Sequence, residues 1–270
     1  MKQLALCLLL LNPLSASAQF TDVMGSRANG MGGSALLETN AWASFNNPAA
    51  LAMDTGNQIA GNYANSYLLP EIGTSALAAK FSSGTRAFGI GLSSFGYSEF
   101  RSNTLQASYA MKLDEHFSMG VNLGLRYLQL GDIYGQSFSP TASLGMMIYI
   151  NEELSFAALL KDPFNFKIDE AAIDRYPVLL RSGLRYQFSD DIFTNLELEK
   201  ALDKDLRIRG GFQYAHPNGF SFRLGLITQP FEYSLGAGYL KNRFGVDLSY
   251  SYHPLLGFSP QLGFLWNWGS

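Results

Sequence analysis

From about Gln58 to the end of the chain, large apolar residues alternate with small or polar ones. In the stretch 117–127 the odd positions are Phe117, Met119, Val121, Leu123, Leu125 and Tyr127, and the even ones Ser118, Gly120, Asn122, Gly124 and Arg126. Successive side chains on a strand point to opposite faces, so this stretch has one apolar and one hydrophilic face. A soluble sandwich also alternates, with its apolar face inside. Here the polar face mixes Gly with long charged side chains, which makes a poor solvated exterior. A membrane barrel accounts for both faces, with apolar residues outward to lipid and polar ones inward to a lumen.

The N-terminus reads as an export signal. Met1-Lys2 is a short positive region, Leu4 to Leu11 an apolar core, and Ala16-Ser17-Ala18 a small-residue cleavage site before Gln19. That pattern predicts a signal peptide over residues 1–18, outside the fold. The apolar run is far shorter than the roughly 20 residues a spanning helix needs. The one cysteine, Cys7, lies in this segment, which leaves the rest without disulfides or a thiolate ligand. Of 19 basic residues Lys2 is also here, leaving 18 against 22 acidic ones, a net charge of −4. Nucleic acid calls for a basic surface, so it is not an expected partner.

Counting alternating segments between turn signals gives about fourteen strands. They fall near 57–65, 74–82, 86–95, 103–112, 117–129, 140–150, 153–161, 178–188, 192–200, 205–215, 219–227, 232–240, 243–252 and 260–268. The expected fold is all-β: a fourteen-stranded antiparallel transmembrane β-barrel over 57–270, with 19–56 as a plug segment inside the lumen. Alternate connections are tight and polar, as at 82–85, 114–116, 151–153, 189–191, 216–219 and 241–243. The interleaved ones read as mostly longer, at 66–73, 96–102, 131–139, 162–177 and 253–259, with short exceptions near Asp203 and Pro230. Short periplasmic turns and longer external loops are the habit of outer-membrane barrels. The parity places both termini in the periplasm of a Gram-negative bacterium, with outer-membrane lipid around the wall. In the last strand Leu262, Phe264, Trp266 and Trp268 share a face, where aromatics suit the interfacial girdle. A strand ending in an aromatic also resembles the signal read by barrel-assembly machinery. The alternative for this strand is a sandwich edge with two exposed Trp.

Assigning the polar phase inward gives a list of lumen charges: Lys112, Arg126, Arg181, Arg185, Glu197, Glu199, Arg207, Arg209, Arg223 and Asp247. Strands eight to ten then present Arg, Glu, Arg side by side, and opposite charges on neighbouring strands attract. Such a ladder either neutralises and stiffens the wall or lines an ion path, and the first is the simpler expectation. The remaining inward residues are largely Gly and Ser, and Gly on one strand face marks the close approach of another backbone. The unpatterned segment 19–56 is the candidate for that backbone.

This segment reads Gly25-Ser-Arg-Ala-Asn-Gly-Met-Gly-Gly33, then Trp42-Ala-Ser-Phe-Asn-Asn-Pro-Ala-Ala-Leu51. Glycines allow positive φ and close packing. Asn46-Asn47-Pro48 is a turn, and Pro48 to Met53 fits one or two helical turns opened by proline. A phosphate-binding glycine loop is excluded, because no strand precedes it and no Lys-Ser/Thr follows. The two motifs resemble the start of the PorV/PorQ group, barrels related to the FadL channels for hydrophobic compounds. Arg27, Gly30, Met31, Gly32 and Gly33 fit the first half, and Asn46, Asn47, Pro48, Ala49 and Leu51 lie in the second. The resemblance implies a non-enzymatic accessory of type IX secretion that docks secretion subunits or exported cargo. The competing expectation is a FadL-like channel for a small hydrophobic ligand, for which Leu36, Leu37, Trp42, Phe45, Leu51 and Met53 are the apolar candidates.

Little points to chemistry. His116, His216 and His253 fall in turns or loops, and none shares a face with a serine nucleophile. No spacing suggests a transition-metal site or a cofactor. Asp162, Asp169, Glu170 and Asp174 crowd one connection without the spacing of a calcium loop. The same connection carries Phe164, Phe166, Ile168 and Ile173, which makes it the external candidate for a partner contact or a lid.

Overall fold

The computed structural model describes residues 23–131, 135–164, 177–202 and 204–268. The expected signal peptide, residues 1–18, and Phe166, Ile168, Asp169, Glu170, Ile173 and Asp174 lie outside them. Fourteen strands form one closed antiparallel barrel in which each pairs with the next and the last with the first. They are β1 (Asn57–Asn65), β2 (Gly73–Ser83), β3 (Arg86–Tyr97), β4 (Phe100–Lys112), β5 (Phe117–Leu130), β6 (Gln136–Tyr149) and β7 (Leu154–Lys161). Then follow β8 (Leu179–Ser189), β9 (Ile192–Ala201), β10 (Arg207–Ala215), β11 (Phe220–Ile227), β12 (Glu232–Lys241), β13 (Phe244–His253) and β14 (Gly257–Trp268). Closure between Asn57 and Trp268 at one end and Ala64 and Gln261 towards the other leaves the sheet without an edge.

The alternation sorts the two faces of the wall. On β5, Leu123 is 66% exposed and its neighbour Asn122 only 4%. Register keeps like with like: Leu105 lies opposite Leu125 and Ala107 opposite Leu123, while Ser108 faces Asn122. One strand slipped by a single residue would put leucines inside and serines outside, so the two-faced pattern itself fixes the pairing. Aromatics gather outward at both ends of the wall, with Tyr233, Tyr252 and Phe258 in contact at the end opposite the tight turns and tryptophans at the end where those turns lie. Trp266 stacks on Trp268 at 5.4 Å and on Phe244 at 6.1 Å, Trp268 meets Phe81 edge-on at 5.9 Å, and Phe220 meets Tyr239 at 4.6 Å. Phe264 lies on the same outward face.

The connections need correction on one side. The segment 96–102 is not a loop: Gly96 pairs with Arg101 and Tyr97 with Phe100, leaving only Ser98-Glu99 to turn. Likewise β6 starts at Gln136, not near 140. The wall is therefore tallest over β4–β6, with 13, 14 and 14 residues, next at β3 and β14, with 12 each, and lowest at β7 and β11, with eight each. We call the two rims the turn end and the loop end.

Residues 23–56 run through the interior. They include α1 (Ser26–Gly30), α2 (Ala43–Asn46) and a 3₁₀ turn, Pro48–Met53. Nothing here is long enough to be stable alone, since isolated helices below roughly 12–15 residues are marginal. The wall supplies what is missing. Leu36, Leu37, Ala49, Ala50 and Leu51 are fully buried and form one apolar cluster with Ala87, Ala110, Met147, Ala157 and Leu159 of the barrel. Ala41 and Trp42 form a second with Ala60, Ala76 and Ala78.

Candidate functional site

The interior surface between this inner segment and the wall is where the singled-out residues meet. On one side, β8–β12 hold the turn at Gly32-Gly33. Both residues have left-handed backbone, φ 66° and 69°, which glycine adopts without strain. Arg181 donates to the carbonyl of Gly33 at 3.0 Å and Arg209 to that of Gly32 at 3.4 Å. The Ser234 hydroxyl accepts the Gly32 N–H at 2.9 Å, and Glu197 accepts the Leu36 N–H at 2.7 Å. A Cβ at Gly225 would collide with the backbone nitrogen of Gly32, so the wall too must be glycine there.

The charges behind these contacts are paired. Arg181 meets Glu197 at 2.5 Å and Glu199 at 3.5 Å, while Glu199 also takes Arg207 at 3.0 Å and Arg209 at 2.9 Å. Register explains this, because Glu199 lies opposite both Arg181 and Arg207, and Glu197 opposite Arg209. Glu197 is fully buried. Burying such ions costs several kcal/mol each, on the order of the gain from pairing, so the ladder adds little net stability. Its effect is directional: donors left over after pairing point at two carbonyls of the inner turn.

On the opposite side, β3–β6 seat the 3₁₀ turn by shape. A Cβ at Gly120 would stand 2.5 Å from the Ala49 nitrogen and the Pro48 carbonyl carbon. Gln106 and Asn122 donate to the carbonyl of Ser44 at 2.7 and 2.8 Å, and Ser118 to that of Ala49 at 2.9 Å. Asn47 caps the turn, accepting the Ala49 N–H at 3.3 Å while its amide donates to Leu36 at 2.9 Å and to Met146 at 3.4 Å. Asn46 clasps Met24 through both of its amide atoms, at 3.0 and 2.9 Å. Leu36 thus joins the two seats, its N–H held by Glu197 and its carbonyl by Asn47.

The other predicted residues take varied places. Arg27 lies 3.3 Å from Glu38, partly exposed at the inner surface. Met31, Ala49 and Leu51 are buried, and Gly30 runs against Gly236, where a Cβ would come within 3.0 Å of the facing Cα. Arg223 binds Asp247 at 2.5 Å, with Gln213 and Ser221 each at 2.8 Å. Arg185 bonds Asn195 at 2.9 Å and lies over the Phe193 ring at 4.2 Å. Arg126 is buried on β5, remote from the ladder. His253 ends β13 as a strand residue rather than a loop residue. Phe164 is exposed at the loop end.

Sequence reasoning missed Lys80 and Glu38. Lys80 is fully buried, donating to the carbonyls of Thr39 and Asp54 at 2.9 Å each and lying 3.6 Å from the Asp54 carboxylate. Its signal was present: it occupies the inward phase of β2 with Ala76 and Ala78. Glu38 carries no such signal, since its segment has no period.

Two recesses remain between inner segment and wall. One, of about 70 Å³, is lined by Arg27, Trp42, Arg223, Leu240, Asp247 and Leu265 among others. The second, of about 20 Å³, lies among Met24, Phe45, Gln106, Arg126 and Lys161. A cavity that admits benzene is about 150 Å³. Neither recess holds a ring in this arrangement. Among the described residues no cluster of three His, Cys, Asp or Glu could hold a metal ion.

The architecture is that of a closed fourteen-stranded barrel with an occupied lumen, and solved structures share it. No protein-family profile matches the sequence, and no curated protein does. The chain is similar in structure to CymD, described as a monoaromatic hydrocarbon channel, at TM-score 0.72 and 15% identity, over 93% of this chain and 100% of that one. It is similar to the Ralstonia pickettii toluene transporter TbuX at TM-score 0.70 and 12% identity, over 92% and 99%. A FadL homologue of Pseudomonas aeruginosa aligns at TM-score 0.61 and 14% identity, over 90% and 97%. At these identities the likeness establishes the fold.

Proposed function

We propose that the protein is an outer-membrane channel of the FadL type that admits small hydrophobic molecules, with residues 23–56 as the plug that closes its lumen. The observation that carries this reading is the shared barrel, which aligns over almost the whole chain with proteins described as hydrocarbon channels and toluene transporters. The outward band of leucine, valine and phenylalanine, ending in aromatics, supports a lipid environment. Both termini are then periplasmic, on the side of the tight turns. The type IX docking reading rests on the Arg27–Gly33 and Asn47–Leu51 motifs. Gly32, Gly33 and Asn47 hold positions that packing already demands, so the motifs need no exported partner to explain them.

The test is whole-cell uptake of radiolabelled toluene in the native host, with and without the protein. Loss of the initial uptake rate on deletion, restored by the wild-type chain, is the expected result. Unchanged uptake together with loss of proteins from the secreted fraction would replace this reading with the docking one.

A further inference from the structure

The loop-end rim is apolar along one arc. Going round the barrel, the β11–β12, β13–β14 and β1–β2 connections follow one another across the β1–β14 seam. Their tips carry Phe231, Leu255, Leu256, Leu68 and Leu69, all more than half exposed, with Leu255 at 72%. The one charged residue among these tips is Glu71. The neighbouring β9–β10 tip, Leu202 to Leu206, differs in carrying Asp203, Lys204 and Asp205.

Three further observations distinguish the arc. First, two of its six strands are short, beside 11 residues in β2, 10 each in β12 and β13 and 12 in β14. β1 and β11 have nine and eight residues; at about 3.3 Å per residue and a tilt near 40°, they rise only about 20–23 Å, short of a roughly 25 Å apolar band. Second, its tips meet more than half of their backbone donors internally. Each contains a proline, Pro70, Pro230 or Pro254, which has no N–H. The N–H groups of Leu255 and Leu256 both go to Nδ1 of His253, at 3.1 and 3.2 Å, and that of Tyr67 goes to the Ser259 hydroxyl at 2.9 Å. Leu69 and Ile72 bond back to Ser66 and Leu69. Third, the backbone is forced into this shape: Tyr67, Leu68 and Gln229 have φ of 56°, 60° and 52°, which side-chain-bearing residues rarely adopt.

Meeting most of these N–H groups internally lowers the cost of a water-free surrounding. We infer that this arc is a lipid-binding surface, immersed in the acyl chains of the facing leaflet. Its tip leucines continue the outward face of β1, β11 and β13 over the rim and complete an apolar band that the short strands leave unfinished. The barrel consequently sits obliquely, with the β3–β6 wall standing clear of the membrane at Ser98-Glu99. This placement rests on the membrane reading above.

The experiment uses the full chain with Cys7 replaced by Ala, reconstituted in phosphatidylcholine vesicles with or without brominated acyl chains. Single cysteines at Leu255, Phe231, Leu248, Leu123, Asn122 and Ser98 carry a bimane label. Leu123 and Leu248 are outward on mid-wall strands and should be quenched by bromolipid, with Asn122 unaffected; failure there overturns the membrane reading itself. With those controls met, Leu255 and Phe231 should quench as Leu248 does, and about twofold or more above Ser98. Iodide in the aqueous phase should quench Ser98 instead. Iodide quenching of Leu255 and Phe231 at the Ser98 level, without bromolipid quenching, would overturn the inference. Protection from both quenchers would overturn it too, showing a second copy on the rim.

Discussion

The two seats of the inner segment hold by opposite means. Around Gly32-Gly33 the wall offers long buried ions whose leftover donors aim at carbonyls. Around Pro48–Met53 it offers absence: glycine, alanine and serine, into which a turn settles by shape. Paired ions in a lumen tolerate little substitution, because each partner removed leaves a charge that nothing else solvates. A small-residue seat loses no charge on mutation but has no room to give. The first seat should thus fail through its electrostatics and the second through its volume, and each can be tested without disturbing the outer wall.

The largest effect is expected at Glu197. Replacing it with Ala strands the buried Leu36 N–H and leaves the Arg181 guanidinium only its longer contact to Glu199 and its bond to Gly33, which should cost about 3–5 kcal/mol. The urea-unfolding midpoint in lipid vesicles, followed by tryptophan fluorescence, reads the loss. Glu197→Gln keeps an acceptor for the Leu36 N–H but not the charge, so its loss should be a large part of the Ala loss, and a stability near wild type would show that charge does not set this seat. Next comes Gly120→Ala. Its new methyl meets backbone at 2.5 Å rather than a movable side chain, and overpacking of this kind costs about 1–3 kcal/mol. Faster proteolysis within residues 23–56 should accompany it, and a stability equal to wild type would mean the turn is not seated there. Asn47→Ala should be milder, about 0.5–2 kcal/mol, the usual range for a lost cap.

Much of this was legible in residues alone, and the reason is locality. A period of two is visible in ten residues, so the inward set from Arg126 to Asp247 follows from parity. Lys80 obeyed the same parity and was passed over because its inward neighbours are alanines, which look like nothing. The β3–β4 connection was misread because Gly96 and Ser98 interrupt the apolar run. Pairing of Gly96 with Arg101 and of Tyr97 with Phe100 carries the ladder through that interruption. Which charge grips which carbonyl was not legible at all. Arg209 and Gly32 are 177 positions apart, and only the register of a closed barrel brings them together. Glu38 and Leu36 belong to a segment without period, whose conformation is imposed by the wall.

The smallest effect is the one that tests whether the two seats are one device. Leu36 is bonded to both, through its N–H to Glu197 and its carbonyl to Asn47. A residue pinned through the peptide units on both of its sides transmits a shift of either seat to the other. Shape alone would not, because an apolar contact can slide. Combining Glu197→Ala with Asn47→Ala should then cost less than the two singles together, by about 0.5–1 kcal/mol, because releasing one end already slackens the other. Residues sharing no partner add to within about 0.3–0.5 kcal/mol. Additivity in this cycle would mean that each seat can open alone, and that a ligand could loosen one side of the lumen with the other still closed.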